Sequence, residues 1–566
     1  MLFLLCSLYV FPGLVGRDPW RVADASGFGV AWTMFRGSPG DWLMPNIVGV
    51  PVADGPLPSA LAALVARALA PVLAPHHSIH LAAALVLGAL LLSFWYAVYL
   101  LARRPGMQPQ DPIGAAATRI DFARAIADSG LLILLACLGL ITRMHETTAS
   151  AAQVTLVGVL LFGLAHSLER PTRGAIIVGL TIAASVATKG LPIALAMAAI
   201  VVTIPFASRP FRLVAPTLVG IALPIGVAGA AIWPLLMLGH GTPGQQHLHY
   251  WLASNAAMVG LPRPEVLIYL ARTAPWYFWP AWPLAAWAVH RWRGKLDEPA
   301  VALGMVALGW LAVPSILAST AAEEWLVPLT PPLALLAAIG LPTLRRGIVS
   351  LIDWFAVMTF TTLGIAIWIY LIAFETGWPP RMAYRLSVFM PENAPGPQAL
   401  AIALGAAATL AWLLLVRWRI SRRPPVIWRA VALSAGGLVL LWFLLMSLWL
   451  DAFNARNTYR SVGAGIGANL PADHDCVDTR RLGLAERATV SYYSGARLVP
   501  GDPASSPGHP APDCHWLLIQ DDGPLSFTTL ETPDGWIEVW QGRRSPRIDE
   551  RFRLYRRAPG KTAPDR

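Results

Sequence analysis

Apolar runs long enough to cross a bilayer recur along most of the chain, and polar segments only punctuate them. The runs fall at about 1–16, 77–101, 128–142, 150–167, 174–188, 191–207 and 213–238. They continue at about 266–290, 299–320, 325–341, 348–374, 397–416 and 430–450. At about twenty apolar residues per crossing, this predicts about thirteen transmembrane helices, several of them short. The first run lacks the basic flank and cleavage site of a signal peptide and reads as an anchor. After Asp451 the pattern changes. Short runs at 488–493, 515–520, 536–541 and 552–555 predict strands, 457–470 predicts a helix, and 502–513 is a Pro/Ser-rich loop. The expected fold class is an all-α polytopic membrane domain over 1–450 with a small C-terminal α/β domain over 451–566.

Composition reinforces the pattern. The 566 residues are 56% hydrophobic and 13% charged, with a mean hydropathy of +0.55, whereas a soluble domain carries roughly 25% charged residues. A net charge of +11 would suit a nucleic-acid partner, but its placement argues against one. The basic residues cluster in alternate loops: Arg103 and Arg104; Arg170 and Arg173; Arg209 and Arg212; Arg291, Arg293 and Lys295; Arg345 and Arg346; then Arg417, Arg419, Arg422, Arg423 and Arg429. With thirteen alternating spans these all share one side, which the positive-inside rule makes the cytoplasm. Among the short loops between spans, Arg143 is an isolated exception on the other side. The expected setting is a bacterial inner membrane, with the C-terminal domain in the periplasm.

The outward loops then hold 17–76, Glu146, Lys189, 239–265, Glu323 with Glu324, and 375–396. Ionisable residues at membrane edges are costly and tend to be functional. Their gathering on one side points to a site at the outer surface, whereas a transporter or lipid flippase, the alternative class, would place such groups near the midplane. Within the loop 17–76, residues 24–35 and 57–70 have helical apolar spacing and predict two interfacial helices.

That loop carries Asp24, then Phe28 four residues on, Met34, Gly40-Asp41-Trp42 with Pro45, Gly49, and Asp54 ahead of Pro56. In this order the segment resembles the GT-C glycosyltransferases, in the branch of the protein O-mannosyltransferases and 4-amino-4-deoxy-L-arabinose lipid A transferase. Lys189-Gly190 is similar to that family's Lys-Gly pair at the outer end of a later span. Trp325 with Pro328, Pro331 and Pro332 is similar to its aromatic-x-x-Pro motif. Two positions depart from the branch that modifies lipid A. Asp54-Gly55 replaces Glu-Lys, removing a lysine beside the lipid phosphate, and Trp325 replaces a tyrosine. The resemblance implies a membrane glycosyltransferase using a polyprenyl-phosphate-linked sugar. Its acceptor would be a lipid, such as lipid A or another lipopolysaccharide glycolipid, or a protein.

Such chemistry needs a base for the acceptor and a cation for the departing phosphate. Asp24 is the expected base, with Asp18 in Arg-Asp-Pro-Trp as its rival and Asp54 and Glu146 as further catalytic acids. Lys189 is the expected phosphate contact, joined by Trp325; only three lysines occur in the whole chain, which singles it out. No cofactor is demanded, and a divalent metal is compatible with the acidic set. The histidine groups His76, His77, His80 and His240, His247, His249 lack the Cys or paired acids of a metal site. Gly463, Gly465 and Ala468 mimic a dinucleotide fingerprint but face outward, where nucleotides are scarce. Cys476 and Cys514, the two cysteines outside the membrane, would pair in an oxidising compartment.

Overall fold

The computed structural model describes residues 2–20, 22–108, 118–390, 396–421, 429–501, 514–522, 533–544 and 550–558. The loop expected at 502–513 and the Arg422–Arg423 pair lie outside the described residues. The chain opens with α1 (Leu2–Val10), α2 (Ala23–Arg36), α3 (Pro39–Leu43) and α4 (Leu57–Leu69), before the long α5 (Pro75–Ala102). Then come α6 (Arg119–Ala136), α7 (Leu138–Arg143), α8 (Ala149–Ser167), α9 (Pro171–Val186), α10 (Leu191–Ala207) and α11 (Arg209–Gly239). After them follow α12 (Gly241–Met258), α13 (Pro264–Tyr277), α14 (Ala281–Arg291), α15 (Pro299–Ile316) and α16 (Thr330–Gly340). The helical part closes with α17 (Arg346–Thr376), α18 (Pro380–Phe389), α19 (Ala399–Ser421) and α20 (Arg429–Leu448).

Among the described residues, eight helical segments are long and apolar enough to cross a membrane. The other expected spans are helical but short or divided. The run 128–142 breaks at Cys137 between α6 and α7. The run 266–290 breaks at 278–280 between α13 and α14, where Pro280 has no N–H with which to continue the ladder. The first run is helical for nine residues only, about 14 Å at 1.5 Å per residue. One apolar core joins these helices, with Phe94 of α5, Leu134 of α6, Leu160 of α8 and Leu335 of α16 all fully buried.

The two helices of the 17–76 loop form where the spacing predicts them. The buried face of α2 carries Asp24, Ala25, Phe28, Ala31 and Met34, and α4 buries Ala62, Ala63 and Ala66 against it. The short α3 starts at a capping box: the Asp41 carboxylate accepts from the Ser38 backbone N–H at 2.8 Å and from the Asn46 amide at 2.9 Å. Strands β1 (Asn46–Ile47) and β2 (Val50–Pro51) form a small hairpin whose turn puts Val48 at φ +48°. A β-branched residue is strained there, and burial offsets that strain, for Val48 packs on the core of the C-terminal domain.

That domain follows α21 (Leu450–Asn457) and α22 (Arg460–Asn469). It holds β3 (Val477–Arg480), α23 (Leu484–Ser494), β4 (Leu498–Pro500), β5 (Trp516–Asp522), β6 (Trp536–Arg543) and β7 (Glu550–Arg557). The sheet order is β4-β3-β5-β7-β6, with β3 parallel to both its neighbours and β7 antiparallel to β5 and β6. Cys476 and Cys514, just ahead of β3 and β5, are joined by a disulfide. Three expected strands coincide with β5, β6 and β7; the fourth does not. Residues 488–493 belong to α23, although their Thr, Val and Tyr content favours a strand. Helical spacing lets this segment serve two cores at once: Val490 packs on the sheet beside Val477 and Leu518, while Ala488 packs on Val30 and Met34 of α2. Tertiary packing on two sides overrides local preference.

Candidate active site

Two close backbone approaches build the site. Gly27 on α2 lies so near the 147–148 backbone that a Cβ there would overlap the carbonyl oxygen of Thr147. Gly55 also lies too close to the Ala187 backbone for a Cβ, donating its N–H to the Thr188 carbonyl at 2.9 Å, while Leu57 donates to the Ala187 carbonyl at 3.0 Å. No side chain fits at 55. This backbone contact sets Asp54 beside Lys189.

Between these elements lies a cavity of about 370 Å3 whose lining includes Asp54, Arg143, Glu146, Lys189 and Glu324. Lys189 Nζ stands 3.3 Å from Asp54 Oδ1 and 2.9 Å from Glu324 Oε2. Ser150 Oγ also donates to Glu324 Oε2, at 3.3 Å. Arg143 bridges two more acids, at 3.2 Å from Glu146 Oε2 and 3.0 Å from Glu323 Oε2. Burial opposes the charge on Lys189, but Asp54 and Glu324 outweigh it and hold the ammonium above its ordinary pKa. Glu146 is shifted up: burial is the main cause, Arg143 opposes it, and the nearby Asp24 charge adds to it.

Asp24 stands elsewhere. It is 2% exposed and does not line the cavity. Its Oδ2 accepts from Arg17 Nη2 at 2.7 Å and the Trp20 N–H at 3.1 Å, with His80 Nε2 at 3.2 Å; its Oδ1 accepts from the Thr147 N–H at 2.8 Å. Burial raises its pKa, but Arg17, His80 and the Thr147 amide prevail and hold it well below the usual carboxylate range. Sealed and bonded on both oxygens, the expected base does not reach the cavity in this structure, and through the Thr147 N–H it holds the segment that carries Glu146. The rival Asp18 is buried too, ion-paired with Arg460 of the C-terminal domain. Its N–H and the Trp20 indole both donate to Asn454 Oδ1, at 3.1 and 2.9 Å.

Trp325 is 7% exposed, its indole N–H has no hydrogen-bond partner, and with Lys189, Gln153 and Glu324 it lines a second, small cavity of about 20 Å3. The structure thus brings Asp54, Glu146, Lys189 and Trp325 together and leaves Asp24 behind the wall. It adds Arg143, singled out in the sequence only as a charge on the wrong side. It also adds Leu484, Tyr250 and Met258, which line the cavity without any local signal. The His76–His80 group holds the loop together: His76 Nδ1 meets the Tyr492 hydroxyl at 2.7 Å and His80 meets Asp24. Among the described residues no group of three or more His, Cys, Asp or Glu is gathered to hold a metal. The cavity carboxylates face Lys189 and Arg143 instead.

The architecture, many apolar helices carrying a loop with two amphipathic helices and a small terminal sheet domain, is an ArnT-like fold of the GT-C type. The crystal structure of ArnT from Cupriavidus metallidurans bound to undecaprenyl phosphate matches with a TM-score of 0.66 at 14% identity, over 100% of this chain and 98% of that one. Its apo form matches with a TM-score of 0.63 at 14% identity, over 98% and 96%. The Archaeoglobus fulgidus oligosaccharyltransferase in complex with zinc and sulfate gives a TM-score of 0.45 at 10% identity, over 92% and 67%. No family model and no curated protein matches the sequence.

Proposed function

We propose that this chain is a membrane glycosyltransferase that moves a sugar from a polyprenyl-phosphate donor to an acceptor at the periplasmic face of a bacterial inner membrane. The observation that carries the reading is Lys189, an ammonium held between Asp54 and Glu324 on a cavity that Glu146 also lines. Shared fold with a protein crystallised with undecaprenyl phosphate supports the donor class. The arginine-bearing loops support the orientation.

In this reading the donor phosphate displaces one carboxylate from Lys189, and Trp325 offers its indole N–H beside it. Departure of the phosphate is then stabilised by a fixed positive charge in a shielded site. Asp54 and Glu324 keep the ammonium charged and aimed at the cavity. Glu146, held by Arg143, faces the acceptor, and Asp24 keeps that segment in place. Mass spectrometry of glycolipids and periplasmic glycoproteins, with and without the chain, tests the reading. A sugar modification should vanish in cells lacking the chain and return with the wild type but not with Lys189→Met. Identical profiles in all three strains would refute it.

A further inference from the structure

Between the spans α17 and α19 stands α18, a helix that the transfer chemistry does not use. Gly377, at φ +73°, ends α17 in the left-handed conformation that favours glycine. Pro380 then opens α18 at its first position, where no N–H is needed. Leu386 of α18 and Met390 just beyond it pack on the apolar core of the spans. The opposite face carries Arg381, Tyr384 and Arg385, which share it because residues three and four apart are neighbours on a helix. Tyr384 is 67% exposed, and Trp378, just ahead of the helix, is 69% exposed. Both arginines are exposed, and among the described residues neither has a hydrogen-bond or ion-pair partner. Glu375, the one acid among the described residues of 375–396, bonds to neither.

A chain of rings fixes which end of the bundle this is. Phe374, in the last turn of α17, stands 5.7 Å from the Trp449 ring; Trp449 stands 6.4 Å from Phe453, and Phe453 6.0 Å from Trp20. Trp20 donates its N–H to Asp24, so α18 sits at the end of the bundle that carries the cavity. The arginine-bearing loops lie at the other end, where α17 begins at Arg346. Topology therefore does not account for Arg381 and Arg385. Water alone would solvate the guanidinium groups but leave two large rings exposed. A layer of phospholipid headgroups meets both needs. Phosphate oxygens accept from guanidinium in a bidentate pair, and Trp and Tyr sit favourably at headgroup level. We propose that the Arg381–Tyr384–Arg385 face, with Trp378, is a docking surface for anionic phospholipids of the leaflet that borders the cavity. Unpaired guanidinium groups one turn apart select a net negative headgroup over a zwitterionic one, whose own ammonium cancels the attraction.

Anionic lipid also gathers at the arginine-bearing loops, so the test must read this face alone. A photo-reactive benzoylphenylalanine replaces Tyr384, between the two arginines, in the full chain. The protein is placed in vesicles of equal parts phosphatidylethanolamine and phosphatidylglycerol, and mass spectrometry identifies the lipids cross-linked at that position. Phosphatidylglycerol adducts should exceed phosphatidylethanolamine adducts by about tenfold, as two arginines at an anionic surface imply. Arg381→Gln with Arg385→Gln should bring the ratio to within about twofold of parity. Raising the salt concentration should lower the ratio with both arginines in place, because exposed charges are screened. That arm needs neither arginine substitution, so it holds even where the double variant fails to fold. Equal adducts with both arginines present, or a ratio that neither salt nor the double substitution moves, would overturn the proposal. Cross-linking to a protein rather than to lipid in native membranes, or no lipid adduct at all, would overturn it too.

Discussion

Two charge clusters lie back to back across one strip of backbone, and they are built on opposite principles. Behind the strip, a single carboxylate, Asp24, takes bonds from Arg17, His80, the Trp20 amide and the Thr147 amide. In front of it, the cations are outnumbered: Lys189 and Arg143 each face two acids. The first cluster has no unspent acceptor and no access. The second borders a cavity and can exchange one partner for a ligand without stranding a charge. Identical residue types thus give a fastener in one place and a binding site in the other. Donor count and access, rather than burial alone, separate the two.

Removing the cation in front should do the most to activity. Lys189→Met leaves the leaving phosphate without its partner, and transfer should fall by about 10²–10³, as for other lost electrostatic contacts of a reacting group. Protein level should hold, because Asp54 and Glu324 are about 40% and 38% exposed and can turn to water. Steady transfer rates in membranes matched for protein content check this, and a variant within threefold of wild type would detach Lys189 from the chemistry.

Behind the strip the effect should move from activity to stability. Asp24→Asn strands the buried Arg17 charge and should destabilise the protein by about 3–5 kcal/mol, while each surviving folded molecule keeps most of its transfer rate. The pH dependence follows from the sign of the shift. Since folding depresses the Asp24 pKa, its contribution is fully present above the ordinary carboxylate value of about 4 and is lost as pH falls from there toward the folded pKa. Thermal unfolding in detergent between neutral and acidic pH should show this loss in the wild type and not in Asp24→Asn. A variant of normal stability but without turnover would restore Asp24 to the chemistry.

A smaller and more local loss is expected in the C-terminal domain. Replacing Cys476 and Cys514 by serine opens a 38-residue separation and should cost about 2–5 kcal/mol in that domain alone. Its helix α23 packs Ala488 against α2, and Tyr492 meets the Phe28 and Trp32 rings. Proteolysis should therefore become easier after residue 451, with activity following only as α2 loosens. Cleavage at unchanged rates would mean that the sheet holds without its staple.

Long-period features were legible in the sequence, and meetings between distant segments were not. The helices at 24–35 and 57–70 could be read because apolar spacing is a local property, and they appear as α2 and α4. Lys189 and Asp54 stood out by rarity and by motif. The sealing of Asp24 could not be read, because three of its partners, His80, Arg17 and the Thr147 amide, are brought to it by folding. Nor could Arg143, whose position looked anomalous until Glu146 and Glu323 surrounded it. In α23 the local signal pointed the wrong way, since the Thr-Val-Ser-Tyr-Tyr run has strand composition, while packing on both α2 and the sheet demands helical periodicity. The strands β3 and β4, four and three residues long, are too short to show alternation.

Trp325 offers the finest probe of the line between the two clusters, because it shares features of both. Like Asp24 it is buried, and like Lys189 it borders a cavity, yet its indole N–H has no partner. If that donor serves the donor phosphate, Trp325→Phe removes one hydrogen bond to a charged group, and KM for the donor should rise by about tenfold with kcat nearly unchanged. Stability should change by less than about 1 kcal/mol, since removing an unsatisfied buried donor offsets part of the packing lost. Trp325→Tyr keeps an aromatic ring and supplies a hydroxyl, so it should recover donor affinity where its oxygen can reach the phosphate. Kinetics for both variants at matched protein level separate the two roles. A rise in KM for Phe that Tyr reverses places Trp325 with Lys189 on the binding side. Unchanged kinetics in both would place its indole with the packing behind the wall.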